Sequence, residues 1–286
     1  TESIGEDDLT TRVPVKGRDD LTALAAAVNR MLDRVQTSVE AQRNLLDDVG
    51  HELRTPIAVV RGHLELTDPS DPEDVHQTQL LAIDELDRMG VLIDDLILLA
   101  KSAQSDFITP VDTDVAELTE MVFDKSLALG ERRWQLESAA FTRAMIDPTR
   151  ITQAWLQLVA NAVKYSSHYS TVRLGSAVRD GRLLMWVGDE GIGIAAEEIE
   201  MVRQRFKRTA GAQEMSSGTG LGLSIVETIV AAHGGRLDIR SEVGEGSVFT
   251  MTIPLEASPV PSSSETATSG DVGASPPEQS PTASKE

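Results

Sequence analysis

No helix breaker separates the apolar pattern that begins near Asp20 from the one that carries His51, and the pattern runs on to Thr67. Leu21, Leu24, Val28, Met31 and Val35 step by three and four as a heptad seam. Leu45, Val49, Leu53, Val60 and Leu64 then recur at three- and four-residue multiples, which puts them on one face of an amphipathic helix. A continuous helix from about Asp20 to Thr67 is roughly 70 Å long at about 1.5 Å per residue. A single-chain core does not cover that length, so the pattern predicts a homodimer through this region.

A second helix follows. Asp68-Pro69-Ser70-Asp71-Pro72 reads as a turn, and Glu73 and Asp74 suit the positive end of a new helix. Ile83, Leu86, Gly90, Ile93, Ile97 and Ala100 keep the three-four period, with Leu92, Leu96 and Leu99 widening the stripe. Two such antiparallel helices still need apolar cover, and pairing two hairpins into a four-helix bundle supplies it.

His51 lies off the stripe, two residues from Val49 and two from Leu53, pointing roughly opposite the buried face. Thr55, one turn on, shares its side. Pro56 removes an amide and crowds the Glu52 carbonyl, so a bend is expected beside the histidine. By position alone His51 reads equally as a solvated surface histidine and as a phosphoacceptor.

With 286 residues and 40% hydrophobic content the chain is long enough for two domains with cores. Aromatic residues are only 3%, so Leu, Val, Ile and Ala must build those cores. A net charge of −20 argues against nucleic-acid binding, which needs a basic footprint. Cysteine is absent, which excludes disulfide and thiolate chemistry. No run approaches the roughly 20 apolar residues of a membrane helix, and the opening at Thr1 reads as the middle of a longer chain.

Phe107 to Pro110 reads as a linker, and from Val111 the pattern mixes helix and strand. Asp147-Pro148 is a helix start, with the helix running through Ile151, Trp155, Leu158 and Ala162 to Tyr165. Val172 to Val178 alternates, Asp180-Gly181 turns, and Leu183 to Val187 returns. A helix from near Leu221 stops at His233-Gly234-Gly235, where the histidine suits the helix dipole. Leu237 to Ser241 and Val248 to Leu255 read as strands. From Ala257 on, the Ser, Pro, Thr and Gly composition predicts a disordered tail.

Three segments of this half suit a nucleotide. Gln157, Asn161, Lys164 and Tyr165 share one side and end of a helix. The Asn161 amide oxygen is a hard ligand of the kind magnesium takes, Lys164 offers positive charge and Tyr165 an aromatic face; alone, the segment also reads as a helix end with a snorkelling lysine. Asp189-Glu190-Gly191-Ile192-Gly193 follows a strand, and a carboxylate there can accept from an exocyclic amine such as that of adenine; as an isolated loop it is equally a strand-ending turn. Gly218-Thr219-Gly220-Leu221-Gly222-Leu223-Ser224 offers backbone amides and a helix start to a polyphosphate, without the lysine of a P-loop. Between the last two, Met201 to Ser217 carries Arg203, Arg205, Lys207 and Arg208. Its later part reads as a lid over the phosphates or as a solvated basic loop.

In this order and spacing the segments resemble the sensor histidine kinases of two-component systems. His51-Glu52-Leu53-Arg54-Thr55-Pro56 is similar to the family's H-box, Asn161 to Tyr165 to its N-box, and Asp189 to Gly193 with Gly218 to Leu223 to its G-boxes. Arg12 to Val15 and Asn29 to Leu32 resemble the second half of a HAMP signal-relay module. The resemblance implies a multidomain α and α+β protein. A partial HAMP segment (1–36) leads to a helical dimerisation and phosphotransfer domain (37–106). An α/β sandwich ATP-binding domain with a mixed sheet (107–256) and the tail (257–286) follow.

The resemblance further implies ATP with Mg2+, a response-regulator receiver as partner, and a membrane-anchored sensor region upstream, this chain being the cytoplasmic portion. Carried over, His51 accepts the phosphoryl group with Glu52 beside it, and Thr55 serves receiver dephosphorylation. Asn161 holds the metal, Asp189 the adenine, Lys164 and Arg208 the phosphates, and Tyr165 packs near the base. Three departures stand out: Gln157 where an asparagine is frequent, Arg203 in place of the first phenylalanine of the Phe-box, and Gly50 in place of a serine. An ATP-binding scaffold without autokinase activity, or a plain ATPase with an incidental histidine, are the competing readings.

Overall fold

The computed structural model describes residues 20–102, 104, 106–207, 209 and 219–255, and for helix residues 20–24, 26–27, 34 and 37–48 the backbone alone. The expected HAMP-like residues Arg12 to Val15, the tail, Gly218, Arg208 and residues 210–217 of the expected lid lie outside the described residues, as do the side chains of Leu21, Leu24 and Leu45.

Helix α1 spans Asp20–Leu66, 47 residues that continue through Gly50 and Pro56. The bend expected at Pro56 therefore does not interrupt it, and the proline itself is buried. The turn to α2, Pro72–Lys101, is built from its carboxylates. Asp68 accepts from the Ser70 amide and hydroxyl at 2.8 and 2.6 Å, bonds that hold its carboxyl below the usual range. Asp71 caps α2 by accepting from the Glu73 amide at 3.0 Å, with Pro72 at the first helical position. Thr67 and Thr78 join their hydroxyls across the hairpin at 2.8 Å.

Leu53 packs against the core, whereas Leu64 on the same stripe is 59% exposed. On α2 the buried apolar positions are Leu92, Leu98 and Leu99, while Ile83, Leu86, Ile93 and Ile97 are 44–59% exposed. The period expected for α2 is present, and in a single chain most of that stripe faces outward.

Past α2 the chain is not a loose linker. Phe107 is 6% exposed, with the Arg150 guanidinium 4.8 Å from its ring centre. Strand β1 (Val111–Asp114) pairs antiparallel with β3 (Arg143–Ile146) in a two-stranded sheet. Asp114 caps α3, Val115–Ser126, by accepting from the Ala116 and Glu117 amides. Asp147 caps α4, Pro148–Tyr165, by accepting from the Thr149 and Arg150 amides at 3.0 Å.

The main sheet has strand order β2-β4-β5-β7-β6, with β2 (Arg133–Ser138), β4 (Thr171–Arg179), β5 (Arg182–Asp189), β6 (Arg236–Glu242) and β7 (Gly246–Pro254). It is mixed, as expected: β2 runs parallel to β4 and every other pairing is antiparallel. The β4–β5 hairpin turns at Asp180 and Gly181, both at positive φ, 50° and 67°, the geometry that a two-residue turn requires.

Alternation sends Val172, Leu174, Leu183, Met185, Val187, Phe249, Met251 and Ile253 into the core. They meet Leu118 and Val122 of α3, Trp155, Leu158 and Val159 of α4, and Ile225, Val226 and Ile229 of α6, Gly222–Ala232. Each such side chain contributes about 1.5–3 kcal/mol when fully buried. Among the described residues between β5 and α6, a 3-10 turn, Ala196–Glu198, leads into a short helix, α5, Ile199–Val202.

His233 does more than face a helix dipole. Its Nε2 accepts from the Asp147 amide at 3.0 Å and its Nδ1 lies 2.7 Å from the Ile229 carbonyl. Those two partners fix the neutral tautomer with its proton on Nδ1 and tie the end of α6 to the start of α4.

Candidate nucleotide site

The amino-terminal cap of α4 at Asp147 aims its last turns toward the end of β5. There Gln157, Asn161, Lys164 and Tyr165 line a cavity of about 410 Å³ together with Asp189, Gly193, Gly220 and Gly222. That volume suits a small-molecule ligand. Lys164 Nζ stands 5.1 Å from the Tyr165 ring centre, a cation–π contact that keeps the ammonium at the cavity.

Asp189 ends β5 and is 5% exposed. Burial pushes its carboxyl up to about 6, against the Gly191 and Ser247 amides and the Arg173 charge, which pull it down. The Gly191 amide donates to its Oδ1 at 2.8 Å. The following loop is strapped at both sides: the Ile192 amide donates to the Tyr165 carbonyl at 3.1 Å, and the Gly244 amide to the Ile192 carbonyl at 2.8 Å. Gly193 sits at φ +68°, where a Cβ would run into the Glu242 carbonyl, so this position requires glycine.

Opposite, Gly220 adopts φ +69° and its carbonyl accepts from the Phe206 amide at 3.0 Å. A Cβ on Gly220 would stand 2.8 Å from Phe206 Cα. Leu221 is fully buried behind this turn, and α6 begins at Gly222 with no side chain capping its first amides. The helix start therefore presents backbone donors and its positive end to the cavity. A Cβ on Gly222 would be 3.2 Å from Gln157 Oε1 and 3.9 Å from Asn161 Oδ1, so the two amide side chains face that helix start directly.

Of the residues expected at the site, Gln157, Asn161, Lys164, Tyr165, Asp189, Gly193, Gly220 and Gly222 meet at the cavity wall. Gly191 and Leu221 stand behind it as supports. Lys207, from the basic stretch after Met201, and Ile192 and Thr219, from within the two glycine motifs, also line it; sequence reasoning did not single out Thr209, Ile194, Ser247 and Phe249, which do so too. Nor did it anticipate the contribution of α2, whose Asp84, Asp87, Arg88, Val91 and Asp95 close one side. Asp95 is 6% exposed and hydrogen-bonds the Thr219 side chain. Burial and then the neighbouring Asp94 charge push its carboxyl up to about 6. An acid inside the apolar run Leu92 to Leu99 was the available signal.

His51 and Thr55 lie elsewhere, exposed on α1, where they line a shallow groove with Arg54, Ala58 and Val59. Glu52, beside them, is half-buried. The Thr55 hydroxyl is 3.5 Å from the His51 carbonyl, at the limit of a hydrogen bond.

The residues that could hold a metal are Asn161 and Gln157. No cluster of three or more His, Cys, Asp or Glu suited to a cation exists among the described residues. One or two amide oxygens facing a phosphate-type helix start fit magnesium, which takes few protein ligands and completes its shell with water and substrate phosphates.

Residues 146–257 match the Histidine kinase-, DNA gyrase B-, and HSP90-like ATPase family, residues 41–105 the His Kinase A (phospho-acceptor) domain, and residues 1–37 the HAMP domain. The sensor histidine kinase MtrB of Mycobacterium leprae is 33% identical over 280 residues, covering 89% of this chain and 48% of MtrB. The chain thus spans about half the length of the curated relatives it matches.

Among solved structures, the Acinetobacter baumannii histidine kinase AdeS superposes with a TM-score of 0.56 at 26% identity, over 72% of this chain and 98% of AdeS. Full-length ShkA in complex with AMPPNP gives 0.51 at 28% identity, over 74% of this chain and 46% of ShkA. The chain belongs to the two-component sensor histidine kinases.

Proposed function

We propose that this chain binds ATP in the α4–β5–α6 cavity, phosphorylates itself on His51, and passes the phosphoryl group to an aspartate of a response-regulator receiver domain. The observation that carries the reading is the convergence of Asn161, Lys164, Asp189 and the α6 start on one cavity, in a chain that also displays an exposed histidine beside Glu52. The AMPPNP bound by ShkA supports a nucleoside triphosphate as the ligand.

Asp189 accepts from the adenine amino group and Tyr165 covers the base. Lys164 and the α6 amides take the phosphates, with Arg208 as a further phosphate contact. Asn161, with Gln157 beside it, holds Mg2+, which when bound offsets phosphate charge. At His51 the imidazole lone pair forms a bond to the γ-phosphorus as the bond to the β,γ-bridging oxygen breaks and ADP leaves. The proton of the other ring nitrogen passes to Glu52. His51 does not line the cavity, so the reaction requires the ATP-binding domain to reposition against α1.

The exposed Ile83, Leu86, Ile93 and Ile97 support a homodimer through a four-helix bundle. We divide the chain into a HAMP-like relay (1–36), a dimerisation and phosphotransfer domain (37–106), an ATP-binding domain (107–256) and a tail (257–286). No helix among the described residues is long and apolar enough to cross a membrane. The HAMP match supports a membrane-anchored sensor protein of which this chain is the cytoplasmic portion. Thr55, exposed one turn from His51, supports a second activity: positioning water for dephosphorylation of the receiver.

Incubation with γ-labelled ATP and Mg2+ tests the reading. Acid-labile, alkali-stable label is expected on the protein and absent in His51→Gln, which keeps its ATP affinity. ATP binding without label would favour a signalling scaffold, and released phosphate without protein label a plain ATPase.

A further inference from the structure

Arg203 follows the last residue of α5 and stands where the family pattern has phenylalanine. It does not line the cavity. Its side chain is 28% exposed and reaches three elements. Nη1 donates to Glu227 Oε1 of α6 at 3.0 Å, and Nη2 donates to the Leu237 carbonyl of β6 at 3.1 Å. Nε lies 3.7 Å from Glu200 Oε1. A planar guanidinium with donors fixed in a fork holds such an arrangement, whereas an ammonium or an aromatic ring does not.

Glu227 depends on this partner. Burial raises its carboxyl and the Arg203 charge is the largest influence drawing it back. Removing the arginine leaves a half-buried carboxylate without compensation.

Beyond Arg203 the chain makes one tight turn. Phe206 sits at φ +60°, unusual for a bulky side chain, and its amide donates to the Gly220 carbonyl at 3.0 Å. The segment from Arg203 to Phe206 therefore grips α6 at two points, the carbonyl just before its first turn and Glu227 in its second turn. Two separated attachments fix both the slide and the rotation of a helix, and Lys207 follows directly into the cavity wall.

We propose that Arg203 is a positioning residue for nucleotide binding. Through Glu227 and Leu237 it locks the 203–207 segment to α6, which sets where the α6 amides and Lys207 meet the polyphosphate. This deepens the proposed ATP-binding function and rests on it.

The test measures Mg2+-ATP affinity by calorimetry, autophosphorylation kinetics, and amide hydrogen exchange in α6 for the full chain. Arg203→Met is expected to raise the KM for ATP about tenfold with kcat changed less than twofold, and to speed exchange over 222–225 at least tenfold while α4 is unchanged. Glu227→Gln, which keeps shape and folds if Arg203→Met does not, should show the same pattern. The reversed pair Arg203→Glu with Glu227→Arg should recover part of the affinity that either single reversal loses, the bond to the Leu237 carbonyl staying lost.

Wild-type KM and exchange in both Arg203→Met and Glu227→Gln would overturn the proposal. So would a reversed pair no better than its worse single variant, or a loss confined to thermal stability. Faster α6 exchange in a chain that binds no ATP in its wild-type form would keep the clamp and sink the nucleotide function instead. Unchanged exchange with intact wild-type ATP binding would do the reverse.

Discussion

The α/β sandwich and the helical hairpin are made of the same Leu, Ile and Val, and they use them oppositely. In the sandwich, Leu174, Leu183, Ile225, Ile229 and Ile253 are almost wholly buried between one sheet face and three helices. In the hairpin, Ile83, Leu86, Ile93 and Ile97 are about half exposed. A sheet covered by helices closes its own core, whereas two long helices have only one face each to give the other. The core of the sandwich is thus complete in one chain and that of the hairpin is not.

The largest expected effect separates the two. Ile83→Asp with Ile93→Asp should weaken the proposed dimer at least about 1,000-fold, because each copy would bury two unpaired charges. Light scattering reads the dimer and calorimetry the ATP affinity, which stays at the wild-type value. A doubly substituted chain that remains dimeric at micromolar concentration would show that this stripe is not the interface.

Within the sandwich, Asp189→Asn should weaken ATP binding about 10–100-fold at pH 8, the cost of pairing the adenine amino group with an amide in place of a buried carboxylate. For wild type, affinity should fall as pH drops through about 6, where Asp189 protonates, and the variant should lack that step. Stability has the opposite sign. A carboxyl raised from 3.8 to about 6 gives stability that is full below 3.8 and lost as pH rises through about 6, so Asp189→Asn should melt no lower than wild type at pH 8. A pH-independent wild-type affinity between pH 5 and 8 would remove Asp189 from the adenine contact.

The smallest effect lies where the two regions meet. Asp84, Asp87 and Asp95 of α2 line the cavity, and Asp95 bonds Thr219 just before the α6 start proposed to take the phosphates. Removing one such charge is worth about 1 kcal/mol at screened distances, so Asp95→Asn should tighten ATP binding roughly three- to tenfold at pH 8. Wild type should approach the variant as pH falls through about 6. Equal affinities at pH 8 would mean that α2 has no influence on the nucleotide site.

Legibility followed locality. The Asp147 cap, the Asp180-Gly181 turn, the long first helix and the strands of the last two hairpins are written in neighbouring residues, and each formed where its pattern lay. The α4 residues at positions 157, 161, 164 and 165 reached one cavity because helical spacing alone puts them together. Residues contributed by tertiary contact left no such trace. Phe249 and Ser247 line the cavity from a strand whose alternation signals only an inward side. The α2 acids reach it through the fold of the whole chain, and Phe107 reads as linker because its covering residue, Arg150, is 43 positions away. Arg203 reads in sequence only as a departure from the Phe-box, and in three dimensions it ties α6 to β6.

Asp147 makes a last point about force. Its Oδ2 accepts from the Thr109 amide at 2.9 Å, its Oδ1 from the first amides of α4, and its own amide donates to His233 at the end of α6. The strap that leaves the bundle is therefore riveted to both helices at the ends remote from the nucleotide. A tug on that strap arrives at α4 and α6 together, so the two rods move as one frame and keep their spacing across the cavity. A pull from the hairpin therefore leaves the α4 and α6 walls of the cavity in register, and what it changes is the wall that α2 contributes.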